Sequence, residues 1–123
     1  MIRNVITSCR WALRGIGFAL RSQRNFRIHM LAAVGVLGVG AWLRFNRLEF
    51  TLLLLTVMVV ILGELLNTAM EFILNLLESR NHPAVRAAKD IAAGGVLMAV
   101  VGSVIVGVLL FGPRLLKVVA RIR

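Results

Sequence analysis

Acid is scarce in this 123-residue chain: five aspartates and glutamates stand against fifteen lysines and arginines, a net charge of +10. Cysteine is scarcer still. Cys9 has no second cysteine to pair with, which excludes an intrachain disulfide and any cysteine-based metal centre, and its expected environment is that of a small buried apolar residue without a function of its own. No cleavable leader is expected, because the first apolar run begins near Met30 and leads into Trp42, Leu43 and Arg44 instead of small residues. The chain shows no internal repeat, low-complexity linker or second domain, so residues 1–123 are expected to form one domain. His29 and His82 lack the spacing of metal ligands and are expected to make ordinary hydrogen bonds.

Apolar residues are what the chain has in plenty. They make up 59% of it, with a mean hydropathy of +0.89, the composition of an integral membrane protein. The basic residues cluster between the apolar runs and do not spread over a fold surface, which argues against nucleic acid and for lipid headgroups and nucleotide phosphates.

The expected architecture is all-α: an amphipathic surface helix, three membrane spans and a basic tail. Ile2, Val5, Cys9, Leu13, Ile16 and Leu20 recur at three- and four-residue spacing beside Arg3, Arg10, Arg14 and Arg21, which predicts a helix over about 2–25 lying on a membrane surface. Trp11 and Phe18, seven apart, belong at the headgroup boundary. Spans are predicted over about 28–44, 48–78 and 90–112, with a basic tail at 113–123 that could form an interfacial helix. The second helix, at 1.5 Å per residue, is roughly 45 Å long against a hydrocarbon core of about 30 Å, so its last third should stand out of the bilayer. Small residues at Ala92, Gly95, Ala99 and Gly102 would let helices approach closely in lipid, within the chain or between chains. Six arginines precede the first span, and Arg80, Arg86 and Lys89 lie between the second and third against Arg44 and Arg47 in the opposite turn. That asymmetry predicts a cytoplasmic N-terminus, and the tail runs against it.

The stretch GELLNTAMEFILNLLE, residues 63–78, holds three of the five acidic residues. Glu64, Glu71 and Glu78 recur every seven residues, and Asn67 and Asn75 fall on nearly the same face. Because FTLLLLTVMVVIL precedes them, Glu64 should meet the inner edge of the hydrocarbon layer and Glu71, about 10 Å further along, should meet water. A carboxylate at an apolar boundary has its ionised form destabilised, which makes it a better acceptor for an alcohol's proton. One in water suits Mg²⁺, which takes one or two protein carboxylates plus substrate phosphates. For Glu78 the expectation is a solvated face; for Glu64, an ionisable residue after a dozen apolar ones, it is a functional site. Lys89 and Asp90 are expected at the start of a helix, where free N–H groups attract phosphate, with an ordinary basic flank as the equal alternative for Lys89. No P-loop and no kinase glycine-rich loop occur.

RNFRIH at 24–29, GELLNTAMEFILN at 63–75 and HPAVRAAKDIAAGGVL at 82–97 resemble, in order and spacing, the small prokaryotic membrane kinases comprising diacylglycerol kinase and undecaprenol kinase. The likeness covers nearly the whole chain, and RIH and the HP before AKD look more like the undecaprenol kinase branch. The resemblance implies a homotrimer with active sites shared between subunits in a bacterial cytoplasmic membrane, facing the cytoplasm. It also implies Mg²⁺, ATP and direct γ-phosphoryl transfer to a lipid alcohol. By that resemblance Glu64 is the general base and touches the lipid together with Ala93, and Asn67 is its polar partner. Glu71 and Gln23 serve metal and nucleotide, and Trp11, Arg80, Asn81, His82, Lys89 and Asp90 contact nucleotide. The chain departs from the pattern at Gln23, where a glutamate is expected, and at Asn75, where an aspartate is usual; Glu78, one turn beyond Asn75, could restore the lost charge. Two other readings stand beside the kinase: a proton-coupled transporter component with Glu64 as proton carrier, and a catalytically weakened structural member of the kinase family.

Overall fold

The computed structural model describes residues 2–77 and 81–123. Glu78 and Arg80, for which a solvated face and a nucleotide contact are expected, lie outside the described residues. Four helices follow in order: α1 (Ile2–Ser22), α2 (Arg24–Trp42), α3 (Arg47–Leu76) and α4 (Pro83–Ile122). The all-α expectation holds, with shifted boundaries. The surface helix stops at Ser22 and the next helix starts at Arg24, four residues before the predicted span, with Gln23 as the extended residue between them.

That corner is built from the RNFRIH segment. Phe26 is fully buried, and the Arg27 guanidinium donates to the carbonyls of Leu20 (3.1 Å) and Arg21 (3.0 Å). A cation therefore satisfies the open carbonyls at the C-terminal, negative end of α1. Further up α1, the Phe18 ring meets Phe72 of α3 with centroids 5.4 Å apart, so this face of the surface helix rests on protein. Trp11 is exposed on the same helix, and Cys9 is exposed too, which corrects its expected burial: α1 is one layer thick and touches its neighbours mainly through its second half.

The turn between α2 and α3 is closed on both sides. Phe45 donates its N–H to Gly40 O (3.0 Å) and Arg44 to Ala41 O (3.0 Å), the paired bonds of a helix ended by a left-handed residue. Arg44 takes that role at φ 55°. One residue on, Asn46 Oδ1 accepts from the Glu49 N–H (2.9 Å) while the Glu49 carboxylate accepts from the Asn46 N–H (2.8 Å), a reciprocal cap on α3. Phe45 and Phe50 stack edge to face across it at 6.1 Å. Leu43, Phe45 and Leu53 form the core here.

α3 packs chiefly on α4 and next on α2. Both α3 and α4 are long and apolar enough to cross a membrane, and none of α4's most apolar stretch is buried within the chain. α4 also corrects two expectations. It begins at Pro83, not near 90, because Pro83 fits the first helical position and the His82 ring accepts from the Ala84 N–H (3.2 Å). It then continues through Pro113 to Ile122 without a break, so the basic tail extends the third predicted span instead of forming a separate helix. Gly95 and Gly102 of α4 do not serve close packing inside the chain: a Cβ added at either would meet nothing within 4 Å.

Candidate active site

The polar residues of α3 fall on two faces. Glu64 is 4% exposed and Thr68, one turn on, 7%; both lie on the buried stripe that includes Val60 and Leu74. Asn67 instead borders an open groove of about 420 Å³ between α3 and α4, with Gly63, Met70, Ala92 and Gly95 around it. Its Oδ1 is buried without a hydrogen-bond partner. A buried amide oxygen left in that state costs about 1–3 kcal/mol, which a donor entering the groove would offset.

Towards the end of α3 the polarity rises. Glu71 is half-buried and Asn75 is exposed, and across the interface Lys89 Nζ donates to Asn75 Oδ1 at 2.7 Å. Lys89 and Asp90 are not at a helix start, as expected. They lie well inside α4, where backbone N–H groups are spent on the helix, and His82 already serves the Ala84 N–H at its true beginning. Any affinity for phosphate here belongs to the side chains. Asp90 shares a hollow of about 360 Å³ with Asn81, Pro83, Arg86 and Ala87. Gln23 is half-buried at the α1–α2 corner, makes no side-chain cap bond, and Ala93 is exposed on α4.

The structure thus joins Asn75 to Lys89, and Asn81 and Asp90 around one hollow, while it leaves Trp11 and Ala93 on open surface. Sequence reasoning missed Thr68 and the place of Arg86 beside Asp90. The signal for Thr68 was its position one turn after Glu64 on the same stripe; for Arg86 it was one turn before Asp90 on α4. Among the described residues, no three acidic, histidine or cysteine side chains converge on a metal-sized space. Glu71 is a half-buried carboxylate near the polar end of α3, and one such carboxylate is compatible with Mg²⁺, which is commonly held by one or two carboxylates together with substrate phosphates.

A helix long and apolar enough to cross a membrane, with a buried glutamate where it turns polar and a lysine of α4 bonded to its last turn, is the frame in which the wider likeness falls. The family model for prokaryotic diacylglycerol kinase matches residues 10–111. The chain belongs to that family. It is a membrane lipid kinase that uses ATP, and membership sets aside the transporter reading. The chain is 40% identical over 115 residues to a diacylglycerol kinase of Synechocystis, covering 93% of this chain and 66% of that protein, so it spans just under two thirds of that relative's length. It is also 40% identical over 102 residues to the undecaprenol kinase of Bacillus subtilis, with 83% of each covered. The diacylglycerol kinase of Escherichia coli K12 is 28% identical over 101 residues, 82% of this chain and 83% of that one. The two relatives at 40% carry different lipids in their names, so overall similarity does not select between those lipids.

Proposed function

We propose that the chain transfers the γ-phosphoryl group of ATP directly to the hydroxyl of a membrane lipid alcohol, diacylglycerol or undecaprenol. The observation that carries this reading is the burial of Glu64, 4% exposed at the point where an apolar helix turns polar. A carboxylate there is worth its desolvation only if it meets a partner, and a lipid hydroxyl is the partner that the bilayer supplies. Glu64 accepts the hydroxyl proton as the new phosphorus–oxygen bond forms and the bond to the departing ADP oxygen breaks, while the Asn67 side-chain amide donates its N–H to the alcohol oxygen or to the Glu64 carboxylate and holds it in place. Ala93 contributes wall to the lipid path.

Lys89, Asp90, Asn81, His82, Arg80 and Trp11 contact the nucleotide in this reading, and Lys89 supplies the positive charge for its phosphates. Mg²⁺ would be held by Glu71 with Gln23 nearby, and when bound it spreads the negative charge of the phosphates. In this reading α2, α3 and α4 each span the membrane, and the arginine asymmetry puts the polar end of α3 at the cytoplasmic face. Three copies assemble with sites shared between subunits: the groove around Asn67 is open in one chain, and the small residues beside it fit a neighbouring helix.

Glu64→Gln tests the reading. It keeps shape but cannot take a proton, and general-base catalysis contributes about 10²- to 10⁴-fold. Purified protein in mixed micelles with Mg-ATP and either lipid alcohol should lose turnover in that range, with nucleotide binding and oligomer mass unchanged. Near-normal turnover in an assembled variant would sink the assignment.

A further inference from the structure

The residues after Phe111 lie beyond the family match, yet they are helical to Ile122 and follow a pattern. At 100° per residue, Arg114, Lys117 and Arg121 fall within an arc of about 60°, and Leu115, Val119 and Ile122 within another of about 60° on a different face. Those three apolar side chains are 44%, 58% and 81% exposed. The 40 residues of α4 extend about 60 Å, twice the hydrocarbon thickness. With residues 91–112 crossing the core, the last three turns pass through the headgroup layer at the end of the bundle opposite Glu64.

Arg114 fixes those turns in place. Its guanidinium pairs with Glu49 at 2.7 Å, donates to the carbonyls of Leu43 (3.4 Å) and Arg44 (3.5 Å), and lies 5.9 Å from the centre of the Phe45 ring. Lys117 adds to the positive field around Glu49. Glu49 is the acidic residue of this end among the described residues, and Arg114 already engages it. Arg44, Arg47, Lys117, Arg121 and Arg123 are all exposed, a surface of five cations with no direct ion pair to any of them among the described residues.

We propose that residues 113–123 are an interfacial anchor that binds anionic phospholipid headgroups through Lys117, Arg121 and Arg123, joined by Arg44 and Arg47. Charge complementarity selects the occupant: the exposed cations surround the end of the apolar crossing, where the anionic bilayer surface is the polyanion within reach. A nucleic acid would meet the cations but not Leu115, Val119 and Ile122.

The test places an environment-sensitive fluorophore at Ile122→Cys in a Cys9→Ser background of the full chain, reconstituted in phosphatidylcholine bilayers and titrated with phosphatidylglycerol. The emission should shift to the blue as the anionic lipid rises, and high salt should reverse it. In Lys117→Gln/Arg121→Gln/Arg123→Gln the blue shift should be lost across the whole titration at low salt, because losing about fivefold for each of three cations puts the midpoint beyond pure anionic lipid. Lipid phosphorylation by the triple variant in neutral micelles should match the parent, which shows that it is folded. A folded triple variant with an unchanged midpoint, or a probe that responds to oligonucleotide but not to phosphatidylglycerol, would overturn the proposal.

Discussion

Lys89 of α4 donates to Asn75 of α3 over 2.7 Å, joining the two longest helices of the chain through an amine and a neutral amide. The acceptor positions the ammonium and leaves its charge available. Asn75→Ala should therefore raise KM for ATP about threefold to tenfold with kcat little changed, because a hydrogen bond to a charged group is lost at a partly hydrated site. Lys89→Ala should do more. Steady-state kinetics with varied ATP checks both, and equal effects on KM and kcat from Asn75→Ala would count against positioning.

The metal donors are few. Glu71→Gln should raise the Mg²⁺ concentration for half-maximal activity about tenfold, since it removes the half-buried carboxylate of the proposed site. Gln23→Glu should lower that concentration. It adds a carboxylate at a corner whose side chain makes no cap bond, in water, where attraction to a divalent ion exceeds the desolvation cost. Parallel Mg²⁺ titrations of the two variants decide the matter, and coincident curves would remove Glu71 and Gln23 from the metal.

α1 is tied to α3 through the Phe18 and Phe72 rings. Phe18→Ala should weaken that contact by about 0.5–1.5 kcal/mol and speed amide exchange in the second half of α1, while exchange in the middle of α3 stays slow. Hydrogen–deuterium exchange in detergent reads both segments at once. Unchanged protection of α1 would show that the corner around Phe26 holds it without the ring pair.

Gly40 marks the closest approach of α2 to its neighbours. A Cβ there would lie 3.1 Å from Leu53 Cδ2 and 3.2 Å from Phe45 Cδ2, and both side chains are buried with little room to yield. Gly40→Ala should cost about 1–3 kcal/mol as an overpacked contact and lower the melting temperature in detergent, whereas Gly38→Ala, with open space around it, should not.

Helices were legible in the sequence because their apolar runs are long and their breaks chemically marked. His82 and Pro83 are such a mark, and α4 starts at that proline. What periodicity could not show was how far α4 reaches on either side of its apolar centre. Lys89 was expected at a helix start because the apolar run begins just after it, but His82 and Pro83 start the helix earlier through local capping. The tail was expected as a separate basic piece because of its charges, and it continues α4, with Arg114 bonded to Glu49 and to the carbonyls of Leu43 and Arg44. In the site, Glu64 stood out by charge alone. Thr68 did not, because a threonine in an apolar helix commonly bonds its own backbone, as Thr51 and Thr56 do here. The meeting of Asn75 with Lys89, fourteen residues apart, depends on the path of the connection and on helix packing that no local pattern encodes.

Arg114 and Lys89 are 25 positions apart in one unbroken helix, about 38 Å, and at 100° per residue they return to within about 20° of the same face. With Arg114 latched to Glu49, α4 acts as a ruler whose zero mark is at one end and whose working mark is at the other. Inserting one residue anywhere between them would swing Lys89 about 100° away from Asn75 and advance it by about 1.5 Å. The length of this helix is therefore a constraint in its own right: many residues along its lipid-facing side can change without consequence for the distant amine, but their number cannot.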